Sequence, residues 1–263
     1  MPRELKGTAL PFNYNKLAEL EEIVSLHGND IAAIIMEPQR GTAPDPGFLQ
    51  GVRDIATKIG AVLIFDEVTS GFRINLGGIH LTMGVKPDIA VFGKAMGNGF
   101  PISAIIGIRA VMDCAQNSFI SSTFWTERIG FVAALAAIEK MKTHKVQEKL
   151  VHYGQVINDG WTKVAQKHGI PIAISGITPL THLTFKTQDP EVMQTLYTQE
   201  MLAKGYLLGA SVYSTYSYTE AIIERFVEDS DTVFGTLESA LNSNNAKMFL
   251  KHETKHSGFK RLT

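Results

Sequence analysis

Residues 89–101 read IAVFGKAMGNGFP. An unbroken apolar, β-prone run (89–92) stops at Gly93-Lys94 and gives way to the glycine-rich turn Gly97-Asn98-Gly99. The same design occurs twice upstream. The run 31–36 ends on Glu37-Pro38, and the run 61–65 ends on Asp66-Glu67-Val68, followed by Ser70-Gly71-Phe72-Arg73. A fourth apolar run covers 104–108. Apolar runs that do not alternate with polar residues are the pattern of strands covered on both faces. Helical spacing fills two of the gaps: Leu17, Leu20 and Val24 with Gly28 as the stop, then Leu49, Val52, Ala56 and Ile59 closed by Gly60. Strands alternating with helices predict an open α/β sheet. Ligands of such sheets bind beyond the carboxyl ends of the strands. The clusters around Glu37, Asp66 and Lys94 are therefore expected along one edge, provided the strands run parallel.

Further along, 122–143 reads as a loop followed by a helix containing Ala133, Leu135, Ala137, Ile138 and Met141, and a second long helical pattern covers 146–167. The texture then changes. Short strand candidates at 171–174, 181–185 and 205–208 alternate with helices at about 191–203 and 220–241, the pattern of a smaller α+β domain. The tail beyond 242 is polar and is expected to be loose at its end. These readings divide the chain into a large domain over 1–145, a small domain over 146–243 and a polar tail over 244–263.

Bulk composition excludes several classes of function. With 25 basic and 26 acidic residues, the formal charge of −1 gives no electrostatic footprint for nucleic acid. No stretch approaches the ~18–20 apolar residues of a membrane helix, and the opening MPRELKGTALPF lacks the apolar core of a signal peptide. Cys114 is the single cysteine, so no internal disulfide is available. A cytoplasmic protein is the expectation. Lys94 precedes its glycines, which is the wrong order for a phosphate-binding Walker loop. His252 and His256 have the spacing of one helix face but lie in the polar tail without partner ligands, so no metal site is expected.

Of the strand-end residues, Asp66 and Lys94 carry the chemistry. A lysine amine can form a Schiff base with the aldehyde of pyridoxal phosphate (PLP), and a carboxylate beside the pyridine nitrogen keeps the ring cationic and electron-withdrawing. The small residues Gly93, Ala95, Gly97 and Gly99 would let backbone approach such a cofactor. Singly, each has a plainer explanation: a lysine after a strand is a solvated charge, and an aspartate there is a turn residue or cap. Arg40, Arg73, Arg109 and Arg128 are candidates for a substrate carboxylate, against a default of structural ion pairs. The tyrosines at 213, 216 and 218 are either a loop over the site or surface aromatics.

Ile34-Ile35-Met36-Glu37-Pro38, Pro46-Gly47-Phe48-Leu49, Phe65-Asp66-Glu67-Val68, Ser70-Gly71-Phe72-Arg73, Lys86-Pro87-Asp88 and the stretch from Gly93 to Pro101 occur in one order. Together they resemble class-III aminotransferases of fold type I, especially the glutamate-1-semialdehyde aminomutase-like branch. The resemblance is close from about 12 to 141 and weaker to 233. It implies an α/β fold: the C-terminal part of a PLP-dependent transferase, with an incomplete, mainly parallel sheet, helices on both faces and a smaller α+β domain. It implies Lys94 as the Schiff-base lysine, Asp66 as the ring-nitrogen partner, Val68 as apolar packing on one ring face, and Thr123 as a contact to the cofactor phosphate of the partner subunit. The plainer role for Thr123 is helix entry, and for Glu37 a strand-end turn. A homodimer with a shared site and a small amino or keto substrate follow from the same resemblance.

The departures are specific. Asn98 stands where a third glycine is common, and Thr126-Glu127-Arg128 replaces a Gly-Asn-Pro. The family's first large segment, with the main phosphate-binding turn and a ring-stacking aromatic, has no counterpart before Arg3. The chain is therefore expected to be poorly active alone. The competing expectation is a non-catalytic remnant or interaction subunit that needs another chain to complete the site.

Overall fold

The computed structural model describes residues 3–120, 123–124, 127–243 and 245–256 of the 263. The chain forms two compact units, Met1–Gln147 and Glu148–Thr263. The first contains α1 (Leu17–His27), β1 (Ala33–Met36), α2 (Phe48–Ile59), β2 (Val62–Asp66), β3 (Ile89–Phe92), β4 (Ala104–Gly107), the short α3 (Arg109–Met112) and α4 (Ile129–His144). Helix α5 (Val146–Lys167) starts at the end of this unit and continues into the second.

The four strands lie in the order β1-β2-β3-β4. The first three are parallel, and β4 returns antiparallel to β3. In α2, Leu49, Val52 and Ala56 form a buried stripe at helical spacing. Gly60, at φ +72°, ends the helix by donating its N–H to the carbonyls of Ala56 and Thr57. A side chain on Gly51 would come within 2.5 Å of Leu17, so glycine lets α1 and α2 approach. Asp88 ties this layer to the sheet: its Oδ2 accepts from Arg53 Nη1 at 2.8 Å and from the Leu63 amide at 2.7 Å.

Burial along β1, β2 and β3 alternates, and this departs from the expectation of strands covered on both faces. Ile34, Leu63, Phe65, Ala90 and Phe92 are buried. In register they share one side of the sheet. The α1–α2 layer joins Ile34, Leu63 and Phe65 in one core cluster, and Ala134 and Ile138 of α4 join Ala90 and Phe92 in another. On the opposite side Ile35 is 62% exposed and Ile105 59%. Among the described residues the helical cover is therefore one-sided. The long apolar runs nevertheless mark the strands correctly, because both kinds of position are apolar.

The second unit continues with β5 (Ile172–Ile177), β6 (Leu180–Phe185), α6 (Pro190–Ala203), β7 (Ser211–Tyr213) and α7 (Glu220–Asn242). Its three strands are antiparallel in the order β5-β6-β7. A single apolar cluster joins α5, α6 and α7 to the sheet through Trp161, Tyr197, Phe185 and Phe234. Within it Trp161 Nε1 donates to Tyr197 Oη at 2.8 Å, which lies 3.0 Å from Ser230 Oγ.

The strand expected at 205–208 is not one. Gly205, at φ +92°, closes α6, with the Gly205 amide bonded to Leu202 O and the Tyr206 amide to Met201 O. The strand starts at Ser211, opposite His182. The tail is described as far as 256, and its end, where looseness is expected, lies outside the described residues. The Lys251 amide donates to Gln199 Oε1 at 2.7 Å and the Lys255 amide to Thr195 Oγ1 at 3.0 Å, so the chain docks on α6 as far as 255. His252 and His256 are not on a helix. No helix among the described residues is long and apolar enough to cross a membrane.

Candidate functional site

The parallel register decides what meets at the strand ends. Asp66 is the last residue of β2 and stands opposite Val91 of β3. Just beyond, the Glu67 amide donates to Val91 O at 2.8 Å. The two strands then diverge into turns that carry Val68 and Thr69 on one side and Gly93 and Lys94 on the other. The turns touch: Lys94 Nζ donates to Thr69 Oγ1 at 2.8 Å. Asp66 accepts the Val68 amide on Oδ1 at 2.9 Å, which fixes the carboxylate and leaves Oδ2 for another donor. The side chain of Val68 lies 3.5 Å from where a Cβ on Gly93 would sit, so it places an apolar surface beside the lysine turn.

Glu67 builds this platform. It is fully buried and accepts from Ser70 Oγ and from the amides of Ile79 and His80, and it pairs with His80 Nδ1 at 2.7 Å. Burial pushes its carboxyl up, but the bonds from His80, Ser70 and the two amides outweigh burial and hold it below the ordinary value. Arg73 does not face the site as a free guanidinium: its Nε donates to Thr69 O at 2.8 Å and so braces the same turn.

The lysine turn is held by its backbone. Lys94 has φ +43° and Asn98 φ +47°, both in the left-handed region. The Gly97 and Asn98 amides both donate to Lys94 O. A side chain on Gly97 would stand 2.3 Å from Phe100 O, so glycine is obligatory there. Asn98 takes the place of a glycine without penalty of kind, because asparagine is among the residues that tolerate this conformation.

Glu37, just past β1, belongs to the same edge. Burial raises its carboxyl, Arg40 lowers it, and the charges of Asp66 and Lys94 act on it with opposite signs. Arg40 pairs with Glu37 at 3.4 Å and is 68% exposed. The structure thus brings Glu37, Asp66, Val68 and Lys94 together. Thr123 is exposed, and no hydrogen bond from it is found among the described residues. Its neighbours Ser122 and Thr126 lie outside them. The tyrosine stretch lies in the second unit. There Tyr153 Oη donates to Tyr218 O at 2.9 Å, and Lys149 Nζ lies 5.0 Å from the Tyr216 ring.

Sequence reasoning missed Thr69. The available signal was positional: with Asp66 opposite Val91, residues three beyond each are matched across the gap, and these are Thr69 and Lys94. Chemically the arrangement offers one amine able to capture a carbonyl, one anchored carboxylate for a cationic donor, and an apolar wall between glycine-bearing turns.

A family model described as aminotransferase class-III matches residues 8–231. The 3-aminobutyryl-CoA aminotransferase of Cloacimonas acidaminovorans (strain Evry) is 34% identical over 206 residues, covering 76% of this chain and 50% of that protein. A glutamate-1-semialdehyde 2,1-aminomutase of Hyperthermus butylicus is 32% identical over 255 residues, covering 90% and 58%. Among solved structures, an omega-transaminase from Sphaerobacter thermophilus has a TM-score of 0.81 at 24% identity, covering 89% of this chain and 58% of that one. The FumI protein of Sphingopyxis sp. MTA144, in its PLP internal aldimine form, has a TM-score of 0.84 at 23% identity, covering 92% and 60%. At these identities the structures support the fold. The chain spans about half the length of the first of these relatives and 58% of the second.

Proposed function

The chain belongs to the class-III aminotransferase family, and on that premise we propose that it holds pyridoxal 5'-phosphate and moves an amino group, as an aminotransferase or an aminomutase. The observation that carries the proposal is the pairing of strand ends: Lys94 after β3 and Asp66 at the end of the adjacent parallel β2. The donor set fits the cofactor. The amine suits the aldehyde, Asp66 Oδ2 suits a protonated ring nitrogen, and Val68 suits a ring face. When bound, the cofactor supplies an electron-withdrawing ring that weakens the bond between a substrate's Cα and its proton.

The chain's own residues do the rest. Lys94 takes and returns the proton at the substrate carbon as general base and acid. Asp66, fixed by the Val68 amide, holds the ring cationic. Thr123 contacts the phosphate held by the partner subunit of a homodimer. The substrate is a small amino or keto compound, and the setting is the cytoplasm. The open face of the large sheet, with Ile35 and Ile105 exposed, favours a second reading: a subunit whose site another polypeptide must complete.

The test is direct. The 263-residue chain is mixed with pyridoxal phosphate, reduced with borohydride, and the modified lysine mapped by peptide mass spectrometry. Selective labelling of Lys94 is expected. Labelling scattered over the lysines, with the chain folded, would exclude this chain as a cofactor-binding unit by itself and turn attention to the second reading. With a labelled site, product analysis on one amino substrate without an acceptor separates mutase from transferase.

A further inference from the structure

We propose that Thr69 is a positioning residue that holds the Lys94 amine in the orientation from which it captures an incoming aldehyde. The inference rests on the reading of Lys94 as the cofactor lysine. A lysine side chain has four rotatable bonds and loses rotamer freedom when fixed, and Lys94 is an exposed residue. Something must therefore select one of its conformers. Its stem is set by the left-handed backbone at φ +43° and by the turn that closes on its own carbonyl. Its far end is set by the 2.8 Å bond to Thr69 Oγ1.

Thr69 is built to be the rigid partner. It is 7% exposed and β-branched, so its χ1 is restricted. Its carbonyl is held by Arg73 Nε, and the turn around it is closed by the Gly71 amide on Glu67 O at 2.8 Å. Glu67 is in turn held by Ser70, Ile79 and His80. The hydroxyl thus transmits the rigidity of the buried Glu67 platform to an otherwise mobile amine. In capture, the nitrogen lone pair forms the bond to the carbonyl carbon. The carbonyl oxygen leaves as water with two protons, and borohydride then adds hydride to that carbon.

Thr69→Val removes the acceptor while keeping the branched shape, and Thr69→Ser keeps the acceptor. Three probes are applied to each full-length chain: the time course of borohydride-trapped pyridoxal phosphate at Lys94, the affinity for pyridoxamine phosphate, and reductive methylation of Lys94 by formaldehyde relative to Lys86. The second ligand has no aldehyde and needs no capture. Thr69→Val is expected to slow capture roughly tenfold, the equivalent of about one hydrogen bond. It should leave the affinity for pyridoxamine phosphate unchanged and raise Lys94 methylation about threefold, because a released amine meets a small diffusing reagent more often. Thr69→Ser should stay within about twofold of the parent in all three.

Equal capture rates in parent and Thr69→Val would overturn the proposal. So would an equal loss of affinity for pyridoxamine phosphate, which would make Thr69 a ligand contact, or a serine variant that behaves like valine. Should valine not be accommodated, Thr69→Ala makes the same deletion at smaller volume. If the parent chain captures no pyridoxal phosphate at Lys94, the functional reading fails, and methylation decides on Thr69 alone: a threefold rise supports the restraint and an unchanged rate refutes it.

Discussion

The two units solve the problem of burial differently. In the second, three helices and a three-stranded sheet enclose one continuous apolar cluster, in which Trp161, Tyr197 and Phe234 are 1% exposed or less. In the first, a sheet of similar width has helices on one side, and its core falls into two clusters. Ile35 and Ile105 on the sheet, and Phe131, Val132 and Leu135 on α4, remain exposed. Contiguous exposed apolar area is the usual mark of an interaction surface. The unit with the self-sufficient core contains none of Glu37, Asp66, Val68 and Lys94; the unit that carries these four residues is the one left open.

Separating the units would give the largest effect. Residues 148–263 produced alone are expected to unfold in urea as one cooperative transition. Residues 1–147 produced alone are expected to bind a hydrophobic dye and lack a sharp transition. A sharp transition in monomeric 1–147 would show that the first unit, too, folds without a further layer on its open face.

Single side chains sharpen it. Phe234→Ala should cost about 3–5 kcal/mol, because Phe234 is fully buried with the rings of Phe185 and Tyr197 at 5.8 and 5.7 Å. Phe131→Ser, at a position 59% exposed, should change stability by less than about 0.5 kcal/mol while lowering dye binding. Urea midpoints of the whole chain measure both.

The smallest effect is a pH dependence of the second unit. His168 lies between Glu238 Oε2 and Asp231 Oδ1, each 2.8 Å from a ring nitrogen. Burial pushes the imidazole down, but Glu238 and Asp231 outweigh it and the net shift is upward. A raised folded value means that the stabilisation is complete below the unfolded value of about 6.5 and is lost as pH rises through the folded one. The carboxylates are 47% and 33% exposed, so screening keeps the effect below roughly 1 kcal/mol. The urea midpoint of 148–263 should therefore fall as pH rises above about 6.5, and His168→Gln should flatten that fall. An unchanged slope in the variant would remove His168 as its source.

The sequence made the strand ends legible for a physical reason: an apolar run must stop where its side chains meet solvent or ligand. The run 89–92 is the strand β3 residue for residue, and the runs before Glu37 and Asp66 end within one residue of β1 and β2. The direction of β4 was not legible, because an apolar run carries no sign of its orientation. One-sided cover was hidden because Ile35 and Ile105 are as apolar as the buried Ile34 and Leu63. The false strand at 205–208 arose because β-prone Tyr206, Leu207 and Leu208 follow a glycine whose task is to end α6. Thr69 was invisible because its partner lies twenty-five residues on and is assigned only by the register of two strands.

Lys94 has a further consequence for the history of such a chain. A left-handed backbone disfavours any residue with a Cβ by roughly 1–2 kcal/mol relative to its usual conformation, and glycine escapes that penalty. At φ +43° the fold asks for glycine, whereas the chemistry proposed above asks for lysine at the same codon. A lineage released from the need for an amine has a downhill path from lysine to glycine, so this is a position where disuse would be written early. Lysine still stands there.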